Sequence, residues 1–183
     1  MRKYIWFIVM VLLVGFSVYN YMAAYKNYTG KSAEEPATVG VVIGKKAPAI
    51  TLKDIEDKSV TINAAKNNKV YVLNFWASWC PPCRDEMPEI NDFYNKYKNK
   101  LQFLAINMQE SKTKINSFMV QNNYVFPVLL DSDGKAAELF KVRQIPTTIV
   151  IDKNGIIKYR RTGQIDLVEL EKIIDSAGDK NND

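Results

Sequence analysis

The sequence of 183 residues contains no histidine and only two cysteines. Without histidine, the Cys-His and Ser-His pairs that activate nucleophiles in many enzymes are excluded. Zinc and copper sites also lose their usual nitrogen ligand, and two cysteines cannot complete a four-ligand zinc site. We therefore expect no metal and no cofactor, and the two cysteines become the first candidates for chemistry.

The chain also lacks a sustained block of charge of one sign. Its formal net charge is +5, but the lysines are interleaved with aspartate and glutamate along the whole sequence. A surface that binds nucleic acid needs clustered basic residues. The pattern predicts a mildly basic, solvated surface and no nucleic-acid partner.

The two cysteines stand three residues apart, in the segment Trp-Cys-Pro-Pro-Cys-Arg. They follow a strand-like apolar run at residues 70–75 and precede a helix-like pattern, and this turn is where redox dithiols work. A helix that begins at Pro81 and Pro82 directs free N–H groups and a partial positive charge at Cys80, which favours its thiolate. A purely structural disulfide would close too short a loop to stabilise much. We predict that Cys80 attacks a substrate disulfide and that Cys83 resolves the mixed disulfide.

The N-terminus carries an apolar segment at residues 4–22. A helix of about 20 residues crosses the ~30 Å hydrocarbon core of a membrane. A cleavable signal peptide is the alternative, but its apolar region is usually ~7–15 residues and ends in small residues, which Tyr-Met-Ala at 21–23 matches poorly. We predict a cytoplasmic terminus at 1–3, a single transmembrane anchor at 4–22, and a linker at 23–44. The rest of the chain would then lie on the extracytoplasmic side of the cell membrane.

From residue 45 onward, strand and helix patterns alternate as in an α/β domain. A short strand pair opens the domain, and Asn154-Gly155 indicates a later hairpin. A last helix pattern runs from 166 to 177, and a flexible tail at 178–183 follows. The order of elements, the Cys-x-x-Cys after the first central strand, and Ile145-Pro146-Thr147 before the later hairpin together resemble the thioredoxin fold over residues 45–177.

Within that fold, residues 74–88 and 126–131, together with the apolar N-terminus, are most similar to the membrane-anchored TlpA/ResA/StoA-type thiol-disulfide oxidoreductases of bacteria. The resemblance implies a central mixed sheet flanked by helices, with an N-terminal hairpin. It also implies a helix-strand insertion in the middle of the fold, here at about 110–130. We expect the protein to be a monomer.

The resemblance also implies which residues surround the dithiol. The bond before Pro146 would be cis, and the peptide at Ile145 would face the sulfurs and pair with the extended chain of a substrate. Trp79, Pro81 and Pro82 would contact the substrate beside the dithiol.

Two glutamates match acidic positions of the ResA type. Glu86, six residues beyond the first cysteine, is the best local candidate for moving protons, because a carboxyl in an apolar pocket has a raised pKa. A solvent-facing place in a charged first helical turn is the alternative for this residue. Glu110, after the next strand, would lie on the substrate side of the site.

The implied function is reduction of disulfides in exported proteins, with apocytochrome c or a spore-envelope protein as possible substrates and a CcdA-type membrane thiol carrier as electron donor. A thiol peroxidase is one alternative, but the Pro-x-x-x-Thr-x-x-Cys pattern would need proline and threonine where this chain has Leu73 and Ala77. A disulfide-forming oxidase is the other. Pro81-Pro82 lacks the histidine of strongly oxidising Cys-Pro-His-Cys enzymes, which favours a reductase.

Overall fold

A computed structural model describes residues 10, 12–22 and 40–178 of the chain. Residues 12–22 are helical. Within the described residues, no helix combines the length and the apolar character that crossing a membrane requires. The predicted anchor at 4–22 and linker at 23–44 lie partly outside the described residues, as does nearly all of the predicted tail, so these assignments stay predictions.

Residues 40–178 contain a seven-stranded sheet in the order β2-β1-β5-β4-β3-β6-β7. The central strands β3, β4 and β5 are parallel, whereas β1 is antiparallel to β2 and β5, and β6 is antiparallel to β3 and β7. The predicted mixed sheet and N-terminal hairpin are therefore confirmed. The strands are β1 (Ile50–Asp54), β2 (Ser59–Ile62), β3 (Tyr71–Trp76), β4 (Gln102–Met108), β5 (Val128–Asp131), β6 (Thr147–Ile151) and β7 (Ile157–Thr162).

The helices of this part of the chain are α1 (Ala64–Asn67), α2 (Pro81–Tyr97), α3 (Lys112–Gln121), α4 (Lys135–Leu139) and α5 (Leu167–Gly178). Helix α3 and strand β5 form the predicted insertion. Ser111 caps the start of α3, and its hydroxyl accepts the N–H of Lys114 at 3.4 Å. Helix α1 has only four residues and no apolar period, so the sequence pattern did not predict it.

Strand β3 lies between two hydrophobic cores, and all six of its side chains are buried. Val72 and Trp76 pack with residues of α2 and α5 on one face, while Leu73 and Phe75 pack on the other face. Because side chains alternate along a strand, a strand covered on both faces is apolar at nearly every position. This arrangement fixes the end of β3, from which the chain turns into α2 at the cysteines.

The turn between β6 and β7 lies at the end of the sheet opposite to the cysteines, and it provides a test of how closely the domain is packed there. Gly155 has φ +85°, and a Cβ at this position would lie 2.8 Å from the Cβ of Ala65. Gly44 has the same φ, but a Cβ there would meet no atom within 4 Å. We expect Gly155→Ala to lower the free energy of unfolding by about 2–4 kcal/mol and Gly44→Ala by about 1 kcal/mol, since both incur backbone strain but only the first also overpacks. Urea unfolding followed by tryptophan fluorescence measures both losses, and equal losses would contradict the close contact.

Candidate active site

The two cysteines lie at the N-terminus of α2, and their Sγ atoms are joined in a disulfide. Cys80 is the cap residue of the helix, and its Sγ accepts the N–H of Cys83 at 3.3 Å. Pro81 and Pro82 occupy the first helical positions, where a missing backbone N–H costs no helical hydrogen bond. The Cys-Pro-Pro-Cys segment thus starts the helix and places the Cys80 sulfur at the positive end of its dipole.

The two sulfurs differ in how far they can be reached from solvent. Cys83 is fully buried, Cys80 is 3% exposed, and the neighbouring Trp79 is 61% exposed. Of the pair, Cys80 is therefore the more exposed residue, and the expected order of attack stays a prediction. Among the described residues, no group of three Cys, Asp or Glu side chains is placed to hold a metal ion.

The loop before β6 faces the dithiol. The Ile145–Pro146 bond is cis, which confirms the expectation drawn from the resemblance. The carbonyl oxygen of Ile145 lies 3.7 Å from the Cys80 Sγ. Strand β6 runs antiparallel to β3, so its beginning lies beside the end of β3, just before the cysteines. Pro146 is buried, and its carbonyl accepts the N–H of Gly163 at 2.8 Å.

Glu86 lies in the interior of the domain and not in solvent, with only 3% of its surface exposed. Its Oε1 accepts a hydrogen bond from the Asn74 amide at 3.0 Å, and its Oε2 accepts the N–H of Ile165 at 2.9 Å. Burial raises the pKa of the Glu86 carboxyl above its ordinary value, although these two hydrogen bonds oppose the shift. Glu86 is three residues beyond Cys83 on the same helix, and side chains at this spacing are neighbours, with Cβ atoms about 5–6 Å apart.

Asn74 is a polar residue in the centre of the buried strand β3. Besides Glu86, its amide nitrogen donates to the Thr148 hydroxyl at 3.1 Å, whereas its Oδ1 is buried without a hydrogen-bond partner. In this orientation the amide donates to an ionised Glu86. Rotating the amide by half a turn would let Oδ1 accept a hydrogen bond from the O–H of a neutral Glu86. Asn74 can therefore form a hydrogen bond with either protonation state of the carboxyl.

Glu110 holds the turn that leads into the dithiol. Its carboxylate accepts the backbone N–H and the hydroxyl of Ser78, both at 2.6 Å, and the Asn107 amide at 2.9 Å, and it pairs with Lys114 at 2.7 Å. Burial alone would raise the pKa of Glu110, but the hydrogen bonds from Asn107, Lys114 and Ser78 outweigh burial and hold the pKa below its ordinary value. The expected contact of Glu110 with substrate stays a prediction, because the contacts present all lie within the chain.

A groove of about 700 Å³ lies beside the dithiol. Two predicted site residues, Trp79 and Ile145, line it, and Pro81 and Pro82 lie exposed on the nearby first turn of α2. No sequence pattern predicts the remaining lining residues, because they come from separate segments that carry no shared motif. They are Met108, Gln109, Arg143, Gln144, Thr162 and Gly163.

Comparison with known proteins gives consistent matches. The profile of the AhpC/TSA family matches residues 43–160, well over half of the chain. The thioredoxin-like protein YneN of Bacillus subtilis is 32% identical over 178 residues, which cover 96% of this chain and 98% of YneN. The thiol-disulfide oxidoreductase ResA of Bacillus thuringiensis subsp. konkukian is 35% identical over 133 residues, which cover 72% of this chain and 76% of ResA.

Among solved structures, StoA from Bacillus subtilis superimposes with a TM-score of 0.61 and 25% identity, over 73% of this chain and 98% of StoA. Together with the ResA match, this structure confirms the resemblance to ResA- and StoA-type oxidoreductases that the motifs indicated.

The hydrogen bonds of Glu110 lead to a prediction about stability. Glu110→Gln removes the negative charge of the carboxylate, to which both Lys114 and the Ser78 N–H bind. We therefore expect the free energy of unfolding at pH 7 to fall by about 1–3 kcal/mol. Because the pKa of Glu110 is lowered, its contribution is present above about pH 4.3, the ordinary value for glutamate, and is lost as the pH falls through the lowered value. The difference from wild type should therefore shrink in acid. Urea unfolding between pH 3 and pH 7 measures it.

Lys114→Gln is the matched control, since it removes only the exposed partner of the ion pair and should cost about 1 kcal/mol or less. A loss in Glu110→Gln that equals the control loss, or that does not change with pH, would contradict the role of Glu110 in holding the Ser78 turn.

Proposed function

We propose that this chain, which belongs to the AhpC/TSA family of thioredoxin-like proteins and is a thiol-disulfide oxidoreductase, reduces disulfides of exported proteins at the outer face of the cell membrane. The observation that carries the proposal is the position of Cys80. Its sulfur caps a helix, is the more accessible of the pair, and lies 3.7 Å from the Ile145 carbonyl, at the edge of an open groove.

The proposed reaction begins from the reduced dithiol. The Cys80 thiolate attacks one sulfur of the substrate disulfide, a bond forms between Cys80 and the substrate, and the other substrate sulfur leaves as a thiolate. Cys83 then attacks the Cys80 sulfur, which forms the Cys80–Cys83 disulfide and releases the second substrate thiol. Two electrons pass to the substrate. A membrane thiol carrier of the CcdA type would return two electrons to the protein for the next turnover.

In this proposal, Glu86 moves the proton of Cys83. The Cys83 thiol must lose its proton before it attacks, and it is buried away from solvent. The neighbouring Glu86 carboxylate can accept that proton, because burial raises its pKa towards the range in which a carboxyl exchanges protons near neutral pH. Asn74 would then keep a hydrogen bond to Glu86 before and after the transfer.

The location outside the cytoplasm is supported by the N-terminal segment. The apolar residues 4–22 are long enough for a membrane anchor, and the side chains of the helical residues 12–22 are all exposed and mostly apolar. An exposed apolar helix of this kind is suited to lipid. The partners that we propose are disulfide-bearing exported proteins, apocytochrome c or spore-envelope proteins among them, and we propose that the chain acts as a monomer.

A peroxidase reaction is less well supported by these residues. The threonine of the peroxidase pattern is replaced by Ala77, which has no hydroxyl to donate to a peroxide, and Leu73 replaces the proline. Both residues are fully buried among apolar side chains. Family membership therefore carries over the fold, and the dithiol chemistry follows the ResA relatives.

The first prediction tests the order of attack, the substrates and the location together. Cys83→Ala should accumulate a mixed disulfide through Cys80, because no second thiol remains to resolve it. The variant is expressed in the native cell, membranes are washed with alkaline carbonate, and the trapped proteins are identified by mass spectrometry. We expect the conjugates to stay with the membrane and to contain exported proteins.

Cys80→Ala is the control, and it should trap little. Conjugates that form mainly through Cys83 in this control would overturn the assigned order, and cytoplasmic partners would overturn the proposed location.

A second prediction concerns Glu86→Gln. We expect oxidation of the reduced protein by a peptide disulfide to slow by about tenfold or more at pH 7, below the usual ~10²–10⁴-fold range of acid–base catalysis because thiols also ionise unaided. In the wild type, the rate of this oxidation should change with pH as Glu86 titrates, and the variant should lack this change. Stopped-flow measurements from pH 5 to pH 9 give both results.

The fold should withstand the Glu86→Gln change. With a raised pKa, the neutral carboxyl stabilises the folded state at low pH, and this contribution is lost as the pH rises through the folded-state value. At neutral pH the uncharged glutamine therefore avoids the cost of burying a charge. Glu138→Gln, at an exposed site on α4, controls for the loss of a surface carboxylate. An unchanged pH–rate profile would remove Glu86 from the proposed mechanism.

A further inference from the structure

The groove beside the dithiol has a single ionisable side chain among its described lining residues, and that side chain is Arg143. Arg143 is exposed and forms no ion pair or hydrogen bond with another described residue. Several other cations in the described part of the chain are paired, for example Lys112 with Asp57 and Arg161 with Glu169. The guanidinium of Arg143 is therefore available to a bound molecule.

The backbone around Arg143 is held firmly. The N–H of Val142 donates to the Ala137 carbonyl at 2.7 Å, and the side chain of Val142 is buried. On the other side, the Thr147 hydroxyl donates to the Gln144 carbonyl at 2.7 Å. These contacts fix the chain on both sides of Arg143, so little backbone freedom is lost when the groove is occupied.

Arg160 of β7 adds a further attachment to this segment. Its guanidinium donates to the carbonyl oxygens of Phe140 and Lys141, at 2.9 and 3.0 Å. The side chain of Arg160 is thus engaged within the fold. Arg143 lies three residues after Phe140, and its side chain lines the groove together with Ile145. The Ile145 carbonyl lies 3.7 Å from the Cys80 sulfur, and Ile145 and Arg143 line the same groove, so a chain that lay along this groove towards Cys80 would pass Arg143.

Carboxylates gather elsewhere in the domain. Glu89, Asp92 and Asp166 border a separate depression between α2 and the start of α5. The groove itself has no described carboxylate in its lining, and Trp79 and Met108 supply its apolar surface. A negatively charged segment would meet a free cation there, and a positively charged segment would meet no partner and one like charge.

We propose that Arg143 selects substrates that carry aspartate or glutamate close to the reacting disulfide. The inference rests on the proposed function and adds the chemical class of substrate segment. The acidic side chain would pair with the Arg143 guanidinium while the segment lies along the groove towards Cys80. Arg143 takes no part in the exchange of electrons, and its role is to bind the substrate. Its effect is therefore expected on kcat/KM, which is measured at low substrate concentration.

The test uses three peptides of one sequence that carry the same internal disulfide, flanked by aspartate, serine or lysine. The reduced full chain, in a nonionic detergent, is mixed with each peptide, and formation of the Cys80–Cys83 disulfide is followed by acid quench and mass spectrometry. Each rate is divided by the rate of the same peptide with dithiothreitol, because flanking charge also changes the reactivity of the peptide disulfide itself.

We expect the normalised rate at low salt to be about fivefold higher for the aspartate peptide than for the serine peptide, as for an exposed ion pair, and lowest for the lysine peptide. The preference should largely disappear near 1 M salt, where the screening length is about 3 Å. Arg143→Gln should abolish the order, Arg143→Glu should reverse it, and Arg143→Lys should retain most of it.

Lys66→Gln is the matched control, because it removes one exposed cation that is distant from the dithiol. Lys66 lies on α1, which precedes the start of β3, whereas the dithiol follows the end of β3. This variant should keep the wild-type order of peptides. Equal normalised rates in the wild type, or a preference that persists in Arg143→Gln, would overturn the inference and leave the proposed function intact. A reduced chain that exchanges with none of the peptides would overturn the proposed function and the inference with it.

Discussion

The hydrogen bond from the Cys83 N–H to the Cys80 sulfur is the interaction on which the site depends. It makes the reactive sulfur the cap of α2, so the first turn of the helix and the dithiol form as one unit. The two prolines suit this position because their missing N–H groups fall where a helix has no acceptors for them. The same N–H would also stabilise a Cys80 thiolate, because a hydrogen bond to a charged acceptor is stronger than one to a neutral acceptor.

Two buried glutamates near the dithiol show how local donors decide the state of a carboxyl. Glu86 accepts two hydrogen bonds in an apolar setting, and burial dominates and raises its pKa. Glu110 accepts three hydrogen bonds and also contacts a lysine, and these contacts lower its pKa. One carboxyl is thus suited to exchanging a proton and the other to keeping its charge. The resemblance placed both near the site, and a raised pKa was expected for Glu86. The hydrogen bonds that decide the state of each carboxyl were not predicted, because the partners Asn74 and Ser78 lie 12 and 32 residues away along the chain.

Local patterns predicted much of the fold. The central strand and the two hairpins are each encoded within a few residues, and the cis bond at Pro146 followed from the resemblance of its surroundings. Helix α1 was missed because four residues cannot display a helical period. The groove was missed because Arg143 gains its place only when β6 lies beside β3. Contacts between distant segments produce no periodic pattern in a single sequence, so they could not be predicted from it. The membrane anchor stays a prediction, because it lies partly outside the described residues.

The outer strand β7 is one of the two edges of the sheet. Lys158, Arg160 and Arg161 place three cationic side chains along it. Charge on an edge strand opposes the addition of another strand, which is the usual route by which sheets aggregate. An extended polypeptide that approaches this domain is therefore discouraged from joining the sheet along its side. On this side of the sheet, the loop before β6 that faces the sulfurs is a place where such a chain can align instead.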